Sequence, residues 1–167
     1  GYGPNNPLNF ELIYNTSEGH KKVATVLAAM WKQKLGAQVS LQNQEWKVFL
    51  NTKRNKSKTQ MFRAGWIGDY NDAYTFAEIL LGGHGMNDQG WDNSAYNALL
   101  ASSAKETNPA KRQALLQQAE QVLIAEQPII PLYFYVKNSL VKPWVAGHQG
   151  NVMDHHFSYR WSIQESE

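Results

Sequence analysis

The stretch LNFELIYNTSEGHKKVATVLAAMWKQKLGAQVSLQ (residues 8–42) decides the fold, because its apolar pattern changes from strand to helix and back to strand. Leu8–Tyr14 starts as an alternation of apolar and polar residues, which is typical of a strand. His20–Leu35 carries apolar residues at steps of three and four, the spacing of a helix, and Gly36 follows where a helix C-terminus favours glycine. Ala37–Gln42 is a second strand. The pattern therefore predicts an α/β domain built from strand–helix–strand units.

The rest of the chain continues the same alternation of elements. Further helices are predicted over residues 45–54, 74–81, 93–100 and 108–125, the last with Asn108 as N-cap and Pro109 at the first helical position. Further strands are predicted over residues 60–67, 128–136 and 159–163, with Leu140–Val141 pairing against the second of these. The glycine-rich run at 82–90 is expected to be a flexible surface loop.

The helical spacing also predicts which side chains form the core. The inward-facing residues are expected to be Val23, Val26, Leu27, Met30, Trp31 and Leu35 in the first helix, Trp46, Phe49 and Leu50 in the second, and Leu115, Ala119, Val122 and Leu123 in the last.

The composition excludes several classes of protein. Sixteen basic and 14 acidic residues give a net charge of +2, which argues against a nucleic-acid binder. The absence of cysteine excludes disulfide scaffolds, thiol nucleophiles and cysteine-based metal sites, and it fits an oxidising compartment. No apolar run approaches the roughly 18 residues that a membrane span needs. The chain starts without methionine or a signal-peptide pattern, so we expect a mature product or a piece of a longer protein.

Sequence patterns of catalysis, metal binding and phosphate binding are missing or weak. There is no G-x-S-x-G, H-E-x-x-H, P-loop or G-x-G-x-x-G pattern in a fitting context, so we expect no enzyme and no cofactor. The run Asp154-His155-His156, with His148 nearby, is poorly arranged for one metal ion, because adjacent strand residues point to opposite faces. The basic run at 53–58 is expected to be a solvated helix end or hairpin.

The segment FRAGWIGDYND (Phe62–Asp72) carries the strongest functional signal. Arg63 and Asp69 bracket a predicted strand end, and ligands of α/β domains bind beyond such ends. Gly65 lets another backbone approach closely, and Trp66 offers a flat wall. These parts suit a ligand with a backbone, side chains and a charge. The alternative is that Arg63 and Asp69 form a structural ion pair and that Trp66 belongs to the core.

Four stretches together resemble a known family. They are YNTSEGHKKVA (14–24), LGAQVSLQNQEWKVFL (35–50), RAGWIGDYND (63–72) and PIIPLYFYVKNSLVKPWVAG (128–147). They are similar, in the same order, to the C-terminal part of the oligopeptide-binding proteins of bacterial ABC importers, which are family-5 extracytoplasmic solute-binding proteins. The murein-peptide-binding member is close within that pattern. The resemblance implies part of the C-terminal lobe of a type II periplasmic-binding-protein-like fold over residues 1–167. It also implies that the last strand, at about 158–164, returns to a missing N-terminal lobe.

The resemblance implies roles for the segment after the third strand. Asp69 matches the aspartate that binds the α-ammonium group of a peptide, and Gly65 and Ile67 match positions whose backbone pairs with the peptide. Ala73 departs from the family pattern, which often has proline there, so the turn after Asp69 is expected to differ.

The resemblance also implies side-chain pockets and a basic end of the site. Trp66 and Trp46 match tryptophans that line pockets, and Arg63 matches an arginine near the peptide's C-terminal side. The linker between Trp46 and Arg63 is one residue longer than the family pattern. A second basic ligand residue is therefore either Lys53 or Arg54, and we choose Arg54.

The function that follows from the resemblance is peptide binding for ABC-importer-mediated uptake. The implied partners are short peptides, an inner-membrane permease and the missing N-terminal lobe, with no nucleic acid. The implied location is the periplasm, or a lipid anchor at the cell surface in a Gram-positive source. The alternatives are binding of murein tripeptide, dipeptide, haem or nickel by the same fold, or a surface interaction or antigenic module outside transport.

Overall fold

The computed structural model describes residues 1–3, 5–55, 60–151 and 153–164. The chain divides into two compact units. The first comprises Gly1–Trp66 and Gly82–Asp92, and the second comprises Ile67–Leu81 and Asn93–Glu167. Trp46, Arg54, Arg63, Gly65 and Trp66 belong to the first unit, and Ile67 and Asp69 belong to the second. Each unit is described by itself below.

The first unit is built on a three-stranded parallel sheet. Its elements are β1 (Asn9–Asn15), α1 (Glu18–Leu35), β2 (Gln38–Gln44), α2 (Trp46–Arg54) and β3 (Met61–Phe62). The strand order is β2-β1-β3, and β1 runs parallel to both neighbours. Parallel strands need a long crossover, which α1 supplies between β1 and β2. The predicted strand–helix–strand unit is confirmed.

Packing of α1 on the sheet forms the core of the first unit. Leu12, Tyr14 and Ala24 are buried, and Trp31 and Val39 pack against them. The helix ends at Gly36, whose φ of 68° lies in the left-handed region that glycine adopts without strain. The sequence prediction of the helix end therefore holds for a physical reason.

The predicted apolar stripe of α1 is partly wrong. Val26, Met30 and Leu35 are more than half exposed. Val26 and Met30 lie on the side of the helix opposite Ala24, which faces the sheet, and Leu35 is the last helical residue. A stripe wide enough to include all the apolar residues covers more of the helix surface than a three-stranded sheet can bury.

The predicted strand over residues 60–67 is much shorter in the structure. Only Met61 and Phe62 form a ladder, as β3, and the Arg63 N–H adds one more bond to the Ile13 carbonyl at 2.9 Å. The following residues form neither helix nor strand. Gly65 and Gly68 supply no side chain to pack on a sheet face, so the apolar run that can hold a ladder is short.

The second unit is mainly helical in its ordered elements. These are α3 (Tyr74–Ala77) with a 3-10 turn (Glu78–Leu80), α4 (Ser94–Lys105) and α5 (Pro109–Glu126). The Asn93 side chain caps α4 and the Asn108 side chain caps α5, with Pro109 at the start as predicted. Tyr96 and Leu100 of α4 and Ala119 of α5 are buried. Burial raises the pKa of Tyr96 to about 12, and its hydroxyl donates to the Ala77 carbonyl at 2.8 Å.

The most strand-like segment of the sequence is not a strand in the structure. Residues 128–136 form no ladder with any described residue, and Leu140–Val141 does not pair with them. Residues 129–144 are all exposed, including Phe134 at 98% and Leu140 at 104%. The apolar and β-branched composition favours a strand, but a strand forms only where a neighbouring strand accepts its hydrogen bonds.

The end of the described chain forms a small hairpin. β4 (Val145–Ala146) pairs antiparallel with β5 (Ser162–Ile163), and a 3-10 turn covers Ser158–Arg160. The predicted strand at 159–163 is therefore shorter than expected. Its return to another lobe stays a prediction. Within the described ranges, no helix combines the length and the apolar character needed to cross a membrane.

Candidate functional site

The carboxyl ends of β1, β2 and β3 lie at one edge of the sheet, because the three strands are parallel. The side chain of Thr16, directly after β1, donates to Asn43 Oδ1 of β2 at 3.0 Å, which ties two strand ends together. Glu45 caps α2 by accepting from the Lys47 N–H at 2.8 Å. The cap starts α2 at this edge, so Trp46 and Arg63 both lie at strand ends.

Trp46 is not a core residue, contrary to the prediction that it points inward. Its side chain is 53% exposed, whereas Phe49 one turn later is buried. The two rings stack with centroids 6.0 Å apart and planes 23° apart. The indole therefore stacks on a core residue while about half of its side chain is exposed. The role that the resemblance implies for Trp46 stays a prediction.

Lys53 and Arg54 have different surroundings in the structure. The Lys53 ammonium lies 2.7 Å from the Asp88 carboxylate, and the two side chains are 13% and 7% exposed. Arg54 is exposed at the last position of α2. Because Lys53 is already committed to an internal carboxylate, Arg54 is the better candidate for a second basic ligand residue. Lys56 and Lys58 lie outside the described residues.

The backbone after β3 is open. Gly65 and Ile67 are exposed, Ile67 by 72%, and their N–H and C=O groups bond to nothing among the described residues. The Arg63 guanidinium folds back towards Gly65, since a Cβ placed there would lie 3.4 Å from Arg63 Nη2. The indole N–H of Trp66 is buried and has no acceptor in the described part of the chain. Such a donor is unusual in a folded protein and distinguishes Trp66 from an ordinary core residue.

Asp69 lies in a tightly built turn of the second unit. Its backbone N–H donates to Thr75 Oγ1 at 3.1 Å, and Thr75 is fully buried. A Cβ on Gly68 would lie only 3.0 Å from side-chain atoms of Thr75 and Phe76, so a larger residue would have to displace these side chains. The Asp69 side chain is exposed and has no ion-pair partner among the described residues. The turn thus fixes the backbone and leaves the carboxylate available.

The same turn is anchored to α5 by an ion pair. Arg112 holds Asp72 with two hydrogen bonds of 2.7 and 2.9 Å, and Asp72 also accepts from the Tyr74 N–H at 2.8 Å. The bonds from Arg112, and then that from Tyr74, keep the pKa of Asp72 below its ordinary value of 3.8. Ala73 has a φ of −62°, the value that proline would impose. The expected difference in the turn is therefore not seen at this φ angle.

Another carboxylate reinforces the turn. The Tyr70 hydroxyl donates to Glu78 Oε1 at 2.6 Å. Burial, followed by this hydrogen bond, raises the pKa of Tyr70 to about 12. The side of the turn that carries Tyr70 is therefore held to the 3-10 turn that follows α3.

Replacing Arg112 with alanine is expected to lower the free energy of unfolding by about 1 kcal/mol at pH 7, since the pair is partly screened by water. The native state holds the pKa of Asp72 below 3.8, so the pair stabilises above that pH, and its contribution is lost as the pH falls through the lowered pKa. The difference from the unchanged protein should therefore shrink between pH 7 and pH 3 in urea denaturation. Lys111→Ala, at the exposed neighbouring position, is the matched control, and a pH-independent difference would contradict the assigned pair.

His148 and His156 contact each other, and His156 contacts a carboxylate. The rings of His148 and His156 stack 5.0 Å apart, and His156 Nε2 lies 2.6 Å from Asp154 Oδ1. Hydrogen bonds from His156 and then Lys137 keep the pKa of Asp154 below its ordinary value. Among the described residues, no three histidine or acidic side chains are grouped so that they could hold a metal ion.

An open depression lies on the first unit, away from Trp46 and Arg63. It measures about 490 Å³ and is lined by Asn9, Phe10, Glu11, Gln38, Val39, Ser40 and Gln60. All of them except Gln60, which precedes β3, come from the amino-terminal halves of β1 and β2, opposite the edge with Arg63. A smaller depression of about 170 Å³ adjoins the turn after Asp69, lined in part by Tyr70, Asp72 and Phe76. We place the first unit's part of the candidate site at the carboxyl edge because Trp46 and Arg63 follow the strand ends there.

Comparison with protein families gives one assignment. Residues 1–88 match the model of the bacterial extracellular solute-binding proteins, family 5 (middle part). The chain belongs to this family. The α/β architecture of this family 5 chain is that of the type II periplasmic binding proteins.

The names of two curated relatives of the family 5 chain mention different ligands. The periplasmic murein peptide-binding protein MppA of Escherichia coli K12 is 43% identical over 151 residues, which are 90% of this chain and 28% of that protein. The probable deoxycholate-binding periplasmic protein YgiS of the same strain is 40% identical over 147 residues, 88% of this chain and 27% of that protein. The chain thus spans less than a third of the length of these relatives.

A solved structure shows the same arrangement of the backbone. The oligopeptide-binding protein OppA of Haemophilus influenzae, in complex with the peptide RPPGFSPFR, matches with a TM-score of 0.89 and 37% identity. The match covers 99% of this chain and 33% of that chain. The fold of nearly the whole family 5 chain is therefore present in a larger protein.

The sequence alone does not predict that Asp88 and Arg112 support candidate site segments through their ion pairs with Lys53 and Asp72. Asp88 lies in a loop that the glycine content predicted to be flexible, but Asn87 and Asp88 are both buried. Arg112 lies 40 residues from its partner Asp72. The signal that could have found Asp88 is its place beside Asn87 in a run otherwise rich in glycine, since polar residues in such loops often bond to the backbone.

Proposed function

We propose that this chain is the later part of the second lobe of a longer, two-lobe protein that binds peptides for an ABC importer. The proposal rests on two observations: the exposed backbone of Gly65 and Ile67 bonds to nothing among the described residues, and the carboxylate of Asp69, two positions further along the chain, has no ion-pair partner there. An extended peptide can add to such a backbone as a further strand, which gives affinity without selecting side chains. Binding of many peptide sequences follows from this mode.

The remaining candidate residues have matching roles in the proposal. Asp69 binds the α-ammonium group of the peptide, and its lack of a cationic partner in the described chain supports this role. Exposed Trp46 and half-buried Trp66 form walls of side-chain pockets, where bridging waters adapt to different residues. Arg63 and Arg54 meet the carboxylate at the other end of the peptide.

The lobe assignment has its own support. The chain covers 28% of MppA and 33% of the OppA chain in the peptide complex, so most of each related protein lies outside the match. In the proposal, the opposite wall of the cleft and an inner-membrane permease complete the system, and the segment at 158–164 returns to the first lobe. Because the named relatives are periplasmic proteins, we propose a periplasmic location, with a lipid-anchored form as the alternative.

A steroid ligand is the second candidate function. It is favoured by the 40% identity with a protein named as probably deoxycholate-binding. A steroid has a flat apolar body and one carboxylate, so it would use the tryptophan walls and an arginine. It would have no use for the open backbone of Gly65 and Ile67 or for the carboxylate of Asp69. These features favour a peptide.

The test is calorimetry on the longer protein with trialanine and with trialanine N-methylated at residue 2 or residue 3. Each methyl group removes one N–H donor without changing a side chain. Loss of a paired N–H is expected to weaken binding about fivefold or more, since a hydrogen bond contributes about 1 kcal/mol. Replacing single alanine residues of the peptide by lysine or phenylalanine should change the affinity less.

The isolated chain and deoxycholate serve as controls in the same experiment. The chain alone lacks the opposite wall of the proposed cleft, so it should bind trialanine too weakly to detect by calorimetry. Micromolar binding by the chain alone would contradict the two-lobe assignment. Tight deoxycholate binding without peptide binding, or equal affinity for methylated and unmethylated peptides, would contradict main-chain recognition.

A further inference from the structure

Asp88 is a buried carboxylate that the proposed site does not use directly. It is 6% exposed, and its Oδ2 lies 2.7 Å from the ammonium of Lys53. Water is largely excluded from this pair, since the two side chains are 7% and 13% exposed. Removing one partner would leave the other as an unpaired buried charge, which is strongly unfavourable.

Hydrogen bonds hold the loop that carries Asp88. Neighbouring Asn87 is buried, and its side-chain amide donates to the Trp91 carbonyl at 2.6 Å. Its side-chain oxygen accepts from the Gly90 N–H at 2.9 Å. These bonds span the residues around Asp88, so its carboxylate is presented from a defined backbone.

The Lys53 ammonium joins three parts of the first unit. It lies 5.9 Å from the ring centre of Phe49 in α2 and 5.7 Å from that of Phe62 in β3. Both distances are within the range of a cation–π interaction, which is strengthened where water is excluded. The ammonium therefore links the loop through Asp88, the helix through Phe49 and the strand through Phe62.

Each of the two rings belongs to a residue that contacts or adjoins a candidate site residue. Phe49 stacks on Trp46 at 6.0 Å between ring centres. Phe62 immediately precedes Arg63, whose backbone leaves the sheet at this point. Lys53 itself immediately precedes Arg54. The ammonium thus contacts one ring that stacks on Trp46 and one ring whose residue is bonded along the chain to Arg63.

We propose that Asp88 is a positioning residue for the peptide site. It holds Lys53 over Phe49 and Phe62 and thereby sets the orientation of Trp46 and Arg63, without contacting the ligand. This role deepens the proposed function and rests on it, because Trp46 and Arg63 are ligand residues only if that proposal holds. In this proposal the glycine-rich loop contributes to peptide recognition, which its sequence alone does not indicate.

The test combines a local spectroscopic signal with peptide affinity, both measured on the longer protein. Tryptophan is replaced by 5-fluorotryptophan, and the fluorine resonances of Trp46 and Trp31 are assigned with single Trp→Phe variants. Two variants are compared: Asp88→Asn, and the double variant Lys53→Met/Asp88→Leu, which removes both charges and leaves neither alone. The stability control is Ala24→Gly, at a buried position of α1 that is not among the residues Asp88, Lys53, Phe49 and Phe62.

Both charge variants are expected to shift the Trp46 resonance while that of Trp31 stays in place. Trialanine affinity should fall about tenfold in both, because supporting residues fix the geometry of a binding site. Ala24→Gly should neither shift the Trp46 resonance nor lower the affinity for trialanine. If Asp88→Asn does not fold, the double variant decides, because a purely space-filling pair predicts unchanged affinity and an unchanged resonance for it. That result would overturn the proposal. If the unchanged protein binds no peptide, the proposed function fails, and the Trp46 resonance still decides whether Asp88 positions it.

Discussion

Replacing Asp69 with asparagine in the longer protein is expected to weaken binding of free-amine tripeptides about 10- to 100-fold. The reason is the loss of one charge-assisted hydrogen bond in a closed cleft, which contributes about 1.5–3 kcal/mol. Asparagine keeps the shape of the side chain and its one carbonyl acceptor but removes the charge. Peptides with an acetylated N-terminus carry no α-ammonium group, so their weaker binding should hardly change.

The comparison of the two peptide series separates the proposed role of Asp69 from a general effect on the fold. Calorimetry with trialanine and N-acetyl-trialanine gives the affinities, and Asp92→Asn, at another exposed aspartate, is the control. The turn that holds Asp69 is built from Thr75, Gly68 and Asp72, none of which is changed. Equal losses for free and acetylated peptides would show that Asp69 does not recognise the ammonium group.

Replacing Gly147 with alanine is expected to open the hairpin of β4 and β5, at a cost of about 2–4 kcal/mol. The φ of Gly147 is 82°, which an alanine adopts only with strain. A Cβ there would also overlap the backbone carbonyl oxygen of Arg160 and lie 3.5 Å from the Trp161 Cα. The clash involves backbone on both sides, so no side-chain rotation relieves it.

Hydrogen exchange is the measurement for this variant. The ladder of β4 and β5 has two residue pairs, and the Gln164 N–H adds a bond to the Trp144 carbonyl at 2.8 Å. Exchange across residues 144–164 should accelerate in Gly147→Ala, while α4 and α5 keep their protection. Gly150→Ala is the matched control, because a Cβ there meets nothing within 4 Å. Unchanged exchange in Gly147→Ala would contradict the described hairpin geometry.

Local sequence signals predicted the elements whose determinants are local. Gly36 ends α1 and Asn108 with Pro109 starts α5 because caps depend on a few adjacent residues. The alternating strand β1 and the helix after it were also visible, since periodicity reflects the face that is buried.

Elements that depend on distant partners were predicted less well. The run at 128–136 has the composition of a strand but forms no ladder with described residues. Strand composition indicates a surface that can pair, and whether it pairs depends on another part of a protein. The predicted burial of Val26 and Met30 in α1 is wrong for a related reason, because the width of the sheet sets how much of the helix surface is covered.

The candidate site shows the same division. The proposed segment from Arg63 to Asp69 can be picked out from the sequence because its residues are adjacent. The pocket role of Trp46, which stays a proposal, comes from a resemblance rather than from periodicity. Periodicity alone assigned Trp46 to the core, although it is 53% exposed. The supporting pairs Lys53–Asp88 and Asp72–Arg112 span 35 and 40 residues and follow from no local pattern.

Native mass spectrometry of the longer protein, purified without added ligand, tests the central claim most directly. Main-chain recognition anchored on an ammonium group predicts a series of adducts whose masses are those of short peptides of varied sequence. Asp69→Asn should carry fewer of them than the unchanged protein. A single adduct with the mass of deoxycholate, haem or nickel, or no adduct even after incubation with a peptide mixture, would contradict the account.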